Sequence, residues 1–518
     1  MSSLSIASGP MLHVSLIVEA LRARPAMMFW AAALGQATLW TLVPGLFYGA
    51  PPGDLPLLLA VGHEWALGSV FGPPLASWLA EIAYRAAGSH PIGVYLLSQI
   101  CVVLTFWAVF ELGRAIVGVR HAAIAVLLMV GISALSLPTP EFGPGVLAMA
   151  LTALSILWFW RAIAEDRRRD WYVLGATLGL LVLTSYAGLI LVALIAVFTV
   201  ATARGRAKLG GVDPWIAGML LVLIVFPHLI WLDRSGATPL PELAKIAQQL
   251  MAESHLTEWL RLVAWLIAMH AGMLLLVIVV SGVGSPPQGP APTIERAPPT
   301  AFARTFVYYF ALTPAFVATL AGVLLSRPDL PGGAAPLVVL SGLALVLAAG
   351  DVIRLHHQRI IGVVWLALLV APPLGAAGAI VVLPWIAAVD LEVNRPAAAM
   401  GQFFSDSFRR RFNNSPLEIV LGDGRLPAIV ALASPDRPSL GLISTPEQTP
   451  WVTDADIRQK GAIVVWTAAD ASGAPPISVK ARFPDLVVEV PRSFVRPVQG
   501  RLPVLRIGWA VIRPAEQK

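Results

Sequence analysis

Long apolar runs, broken by short basic or Pro/Gly segments, dominate the first three quarters of the chain. Eleven of them read as membrane-crossing helices: 26–48, 92–112, 121–138, 144–163, 172–184, 187–202, 214–232, 259–281, 304–326, 334–350 and 360–388. Several reach the ~20 residues that an upright helix needs to cross the hydrocarbon core. The runs are continuous rather than alternating, which fits helices and not a lipid-facing barrel. Residues 172–202 form one apolar run with basic clusters at both ends. As a single helix it would be about 45 Å long, too long for one upright span. Two ends on the same side also require an even number of crossings. Thr184, Ser185 and Tyr186 lie mid-run, so we read two short helices joined by an outer turn. One long tilted helix is the alternative, and it would invert everything downstream.

Basic residues orient the bundle. Arg22 and Arg24, Arg114 and Arg120, Arg161 with Arg167–Arg169, Arg204 to Lys208, and Arg354 with Arg359 mark cytoplasmic turns. The N-terminal residues 1–25 read as a cytoplasmic lead-in rather than a cleaved signal, because no basic stretch precedes their apolar part. Segments 49–91, 139–143, 184–186, 233–258 and 327–333, and the tail from about 390, then face outward. The expected organisation is a transmembrane module at 26–284, a Pro-rich cytoplasmic linker at 285–303, further transmembrane helices at 304–389, and a periplasmic domain at 390–518. The tail carries short β-type runs at Leu417–Leu421, Ala428–Leu432 and Ala462–Trp466, with a helical stretch at 453–460. That pattern predicts a small α/β domain. The fold class is therefore an all-α polytopic membrane bundle with a small C-terminal α/β domain.

Composition agrees. Of 518 residues, 57% are hydrophobic and 13% charged, against about 25% charged in soluble domains. The net charge of +6 sits mostly in short loops, a topology signal, and no basic stripe with interleaved aromatics points to nucleic acid. The single cysteine, Cys101, excludes an intrachain disulfide and a cysteine metal cage. The sequence has no phosphate-binding P-loop, no dinucleotide glycine pattern and no HExxH zinc motif, which argues against an ATP-driven pump. The sequence identifies no cofactor with certainty, and a divalent cation is left open.

Candidate chemistry gathers in the outer segments. "PGDLP" predicts an interfacial helix at 55–68 with Asp54 as its N-cap. A cap alone explains Asp54, and a first-turn acid favoured by the helix dipole explains Glu141 in "PTPEFGP". Both acids nevertheless fall on the outer side, where a pair of carboxylates can serve a hydroxyl-activating, sugar-transferring site. His63 and Glu64 lie on the same interfacial helix, as a solvated polar face or as substrate contacts. His228 and Trp231 in "FPHLIW" close the seventh span; an aromatic belt accounts for Trp231. His270 is a mid-span polar residue facing the bundle. A helix at 240–256, with Glu242, Lys245, Glu253 and His255, could rest on the outer leaflet.

The layout resembles the polytopic GT-C-type glycosyltransferases of family 39, the protein O-mannosyltransferases and lipid A aminoarabinose transferases. In that family an Asp-Glu pair in the first outer loop is followed about twenty residues later by Lys-Pro-Pro-Leu. Here Asp54 precedes Pro73 by 19 positions, and "GPPLASW", with Pro73 and Pro74, stands where "KPPLxxW" is expected. Thr139-Pro140-Glu141 is similar to the family's "TPD", Thr184-Ser185-Tyr186 to its "SKY", and "FPHLIW" to its "SPxxxW". The resemblance runs through 26–235 and more loosely through the tail.

The resemblance implies a glycosyltransferase, hexosyl or pentosyl, in a bacterial inner membrane. It would take sugar from a polyprenyl-phosphate donor to a lipid, glycan or protein acceptor at the periplasmic face. Asp54 would be the general base, the anomeric centre would invert, and Glu141 would orient the acceptor. Pro73, Pro74, Ser185, Tyr186, His228, His63 and Glu64 would bind substrate. Three positions depart from the family pattern: Leu55 replaces the second acid, and Gly72 and Ser185 replace lysines that look like phosphate partners. Arg85 or Arg234 are candidate replacements. The alternative is a non-catalytic relative, or a lipid-linked-sugar binding or transport protein on the same scaffold. A transporter should show inverted repeats and polar pairs at mid-membrane, which are not evident here.

Overall fold

The apolar runs fold as helices. The computed structural model describes residues 19–69, 72–137, 139–235, 256–281, 293–324, 330, 333–355, 357–468, 470 and 472–515. Among these, six helices are long and apolar enough to cross a membrane: Pro25–Phe47, Ile92–Val117, Pro144–Ala164, Asp213–Ser235, Ala301–Leu324 and Gln358–Ile386. The number rises to eight if two bent pairs each count as one span. The other expected spans coincide with shorter helices, Val119–Met129, Arg168–Val182 and Ser341–Ala348. The expected helix at 240–256 falls almost wholly outside the described residues, as does the start of the Pro-rich linker.

The chain divides into two compact units, Met1–Thr41 with Tyr95–Pro373, and Leu42–Val94 with Leu374–Lys518. The first is the helical bundle. Its centre is aromatic: Phe159, Phe198, Phe306 and Phe310 meet with ring centroids 4.8–6.0 Å apart. Helices Arg168–Val182 and Asp213–Ser235 approach closely at Gly175, where a Cβ would lie 2.3 Å from the Ala217 carbonyl oxygen. Small residues allow such close backbone approach where lipid supplies no hydrophobic drive. The run at 172–202 breaks as expected, with helices ending at Val182 and restarting at Gly188.

Two expected spans are corrected. The helix expected to continue to 138 stops at Met129, and the one expected at 259–281 is two helices, Leu256–Ala268 and Ala271–Ser281, bent by 55°. The reason is mutual. Ser133 N–H donates to Met269 O at 2.9 Å and Met273 N–H to Gly131 O at 3.0 Å, so each broken backbone satisfies the other. His270 sits at the break, with Nδ1 2.7 Å from Leu266 O and Nε2 2.9 Å from Ser341 Oγ. Its polar atoms are thus used in packing. The linker contributes a strand, β1 (Thr293–Glu295), antiparallel to β2 (Val352–Arg354).

The second unit carries the α/β domain. β3 (Ile419–Gly422), β4 (Ser439–Leu442), β5 (Ala462–Thr467), β6 (Arg492–Phe494) and β7 (Leu505–Ile512) form a sheet in the order β4-β3-β5-β7-β6. β4, β3 and β5 are parallel, and β7 and β6 add antiparallel. Alternate strand residues feed two cores. Val420, Ile463 and Val465 pack with Phe404, Phe408 and Ile429 of helices Ala397–Arg411 and Arg425–Ala433. Leu421 and Val464 pack with Ile457 and Val479 on the opposite face. The expected strand at Ala428–Leu432 is instead helix Arg425–Ala433. A five-residue apolar run does not separate strand from helix by period alone, and here the run is buried on all sides. The helical stretch at 453–460 is found at Asp454–Lys460, with Thr453 and Asp456 closing a capping box.

Candidate functional site

In the second unit, helix Leu55–His63 starts at the double turn of Gly53 and Asp54 and packs on helix Leu75–Ala86 and helix Arg425–Ala433. Gly62 permits the first contact: a Cβ there would lie 2.3 Å from Ser77 O. The helix is shorter than the expected 55–68 because Trp65 turns into the left-handed region at φ 52°. It is also less interfacial than expected, since Leu55, Pro56, Leu59, Val61 and Gly62 are buried in protein. Pro74 precedes the first turn of helix Leu75–Ala86, and its carbonyl accepts from Ser77 Oγ at 2.8 Å.

Asp54 occupies the N-cap position but makes no side-chain cap bond, correcting the cap reading. Its carboxylate, 77% exposed, instead accepts from Arg425 Nε at 2.9 Å. Arg425 Nη1 donates to Glu392 at 2.8 Å, and Arg395 stands 3.7 Å from the other Glu392 oxygen. The result is an exposed acid anchored by a guanidinium that a second acid holds in place.

At the other end of helix Leu55–His63 lies a cluster that local sequence reasoning missed. Glu81, with a side chain 1% exposed, accepts from Arg85 Nε and from Arg437 Nη2, each at 2.7 Å, with His63 Nδ1 3.6 Å away. Arg85 Nη2 is 3.3 Å from the same His63 nitrogen. Burial would push the Glu81 carboxyl up; the bonds from His63, Arg437 and Arg85 outweigh it and bring it down to about 2. Arg437 also lies 4.6 Å over the Tyr84 ring, and Tyr84 donates to Leu432 O at 3.3 Å. The signal was present: Ala76, Ser77, Ala80, Glu81 and Tyr84 share the buried stripe of helix Leu75–Ala86, so Glu81 is an acid on an inward face. His63 is therefore a partner of a buried acid, not part of a solvated face. Glu64 is half-buried, with Oε1 lacking a hydrogen-bond partner among the described residues.

In the first unit, Tyr186 and His228 come together, hydroxyl to Nε2 at 2.9 Å, and His228 stacks on Trp231 with centroids 5.5 Å apart. His228 is buried while Tyr186 remains exposed. Ser185 lines a crevice of about 40 Å³ with Ala148, Leu191 and Pro314. Glu141 is exposed and precedes helix Pro144–Ala164, whose first turn holds no acid, which corrects the first-turn reading. Among the described residues no three His, Cys, Asp or Glu side chains converge in a group able to hold a metal ion.

A helical bundle with several membrane-length helices and a small α/β unit defines a polytopic membrane protein of GT-C-like fold. Residues 72–231 match the family model of dolichyl-phosphate-mannose-protein mannosyltransferases. That segment contains Pro73, Pro74, Glu141, Ser185, Tyr186 and His228, and begins after Asp54, His63 and Glu64. ArnT from Cupriavidus metallidurans bound to undecaprenyl phosphate superposes with a TM-score of 0.59 at 13% identity, covering 95% of this chain and 99% of that one. The same protein in its apo state gives 0.57 at 13% identity, with the same coverage. The likeness is one of fold. No curated protein matches the sequence.

Proposed function

We propose that the chain is an inverting membrane glycosyltransferase that takes sugar from a polyprenyl-phosphate donor at the periplasmic face of a bacterial inner membrane. The observation that carries the reading is fold similarity along nearly the whole chain to a protein bound to undecaprenyl phosphate, joined to the mannosyltransferase match at 72–231. Asp54 is the base. Its exposed carboxylate takes the proton from an acceptor hydroxyl while that oxygen attacks the anomeric carbon. The bond from that carbon to the phosphate oxygen breaks, and polyprenyl phosphate leaves with the electron pair. Arg425, one bond from Asp54, supplies positive charge that Gly72 and Ser185 do not. Within the bundle, Ser185, Tyr186 and His228 are the candidate donor contacts, with His228 holding the Tyr186 hydroxyl. Glu141 is kept as an acceptor-orienting acid.

A second reading is a non-catalytic sugar-lipid binding protein; the changes at Leu55, Gly72 and Ser185 favour it. One experiment separates the two: transfer of label from polyprenyl-phosphate sugars to membrane lipids and glycans, comparing wild type with Asp54→Asn at matched expression. Asparagine keeps an acceptor for Arg425, so the fold should persist while transfer disappears. Equal transfer from both removes Asp54 as the base. Donor binding without transfer in the wild type selects the second reading.

A further inference from the structure

Within the second unit, the connection between β6 and β7, residues 495–504, is fastened where two membrane-length helices end. The last residues of helices Pro25–Phe47 and Gln358–Ile386 both belong to this unit. Arg501 N–H donates to Pro384 O at 2.9 Å, two residues before helix Gln358–Ile386 stops. Gly500, at φ 54°, presses on the same peptide: a Cβ there would lie 2.5 Å from the Pro384 carbonyl. Pro497 lies against Gly49, just past helix Pro25–Phe47, where a Cβ on Gly49 would come within 3.0 Å of Pro497 Cγ. Arg496, its side chain 4% exposed, locks the connection. Its Nε and Nη2 donate to Asp390 at 3.1 and 2.9 Å, and its Nη1 to Pro503 O at 2.6 Å. Asn394 adds two bonds to the Val498 backbone, at 2.7 and 2.9 Å. Two helix ends thus hold this connection at the level where apolar spans give way to headgroups.

The side chains left on its surface fit that level. Val495 is 74% exposed and Val504 47%. Trp385 and Ile386, at the end of the adjoining helix, are also exposed, and tryptophan is the residue of the membrane–water boundary. The segment 490–506 holds four arginines and no acid. Arg496 is neutralised by Asp390, whereas Arg492, Arg501 and Arg506 are exposed. Apolar side chains set among such arginines bind membrane surfaces, and anionic ones best. Fastening the domain accounts for Arg496, Asp390 and Gly500; it does not account for outward valines beside an exposed arginine. We propose that residues 495–504 form a lipid-binding loop. Val495 and Val504 enter the headgroup layer, and Arg501 meets the phosphates of anionic lipids. Arg492 and Arg506, on the flanking strands, add to the attraction. The inference does not depend on the proposed transferase activity.

Full-length protein in nanodiscs of phosphatidylcholine and phosphatidylglycerol tests it in two arms. In the first, an environment-sensitive fluorophore is attached at Val495→Cys or, separately, at Val504→Cys, with buried Cys101 changed to alanine. Two positions guard against a label that disturbs one of them. A nitroxide carried on the lipid headgroup should quench both labels, and iodide in the water should quench them weakly. Labels quenched by iodide and untouched by the lipid nitroxide overturn the loop's contact with the bilayer. The second arm is native mass spectrometry of the phosphatidylglycerol retained on release from the nanodiscs. Arg501→Gln keeps the backbone bond to Pro384 and should lower that retention about fivefold. Retention unchanged in Arg501→Gln overturns the preference for anionic lipid.

Discussion

Replacing Glu81 with glutamine tests whether one buried carboxylate holds the second unit together. The side chain is 1% exposed and bonded to Arg85 and Arg437 at 2.7 Å. Despite burial, His63, Arg437 and Arg85 bring its carboxyl from an ordinary 4.5 to about 2. That difference corresponds to about 3 kcal/mol favouring the ionised form in the folded protein. The sign follows from a lowered value. The stabilisation is complete above pH 4.5 and is lost as pH falls toward 2. Glutamine preserves shape but leaves Arg437, only 18% exposed, without its counter-charge. The expected outcome at pH 7 is a thermal midpoint several degrees lower for the detergent-purified variant, with faster proteolysis within 374–518. The wild-type decline between pH 4.5 and 2 should be much shallower in the variant. A variant that melts with the wild type and keeps the same acid limb would refute the reasoning.

Three further outcomes follow from the same unit. Arg425→Ala should change stability by less than about 1 kcal/mol, because Asp54 is mostly exposed, yet lower turnover about tenfold; melting and sugar-transfer kinetics on one preparation separate the two. Gly62→Ala should force helices Leu55–His63 and Leu75–Ala86 apart, since its Cβ meets Ser77 O at 2.3 Å, and size-exclusion chromatography should show loss of the monodisperse protein. Thr453→Ala removes the capping box of helix Asp454–Lys460 and should cost about 1 kcal/mol, read as faster hydrogen exchange there.

The membrane helices were legible because lipid demands long apolar runs, and that constraint acts on local sequence. The turn at Thr184–Tyr186 was legible for the same reason: two basic ends forced a break. The breaks at Gly131 and His270 were not, because each is stabilised by the other across more than a hundred residues. β3, β5 and helix Asp454–Lys460 stood out by pattern, whereas helix Arg425–Ala433 read as a strand since burial erases its period. Asp54 was singled out by its spacing from Pro73, but its partner Arg425 lies 371 residues away. Glu81 and Arg437, 356 residues apart, are hidden likewise, although the inward position of Glu81 on its helix was readable.

The central claim is that sugar leaves a polyprenyl-phosphate donor on this protein. The most direct measurement is mass spectrometry of the lipid pool after incubating the reconstituted chain with polyprenyl-phosphate sugars and membrane extract. The account predicts that the donor declines and free polyprenyl phosphate accumulates with wild type, and that neither occurs with Asp54→Asn. Donor that remains intact with both proteins while bound to each would contradict it.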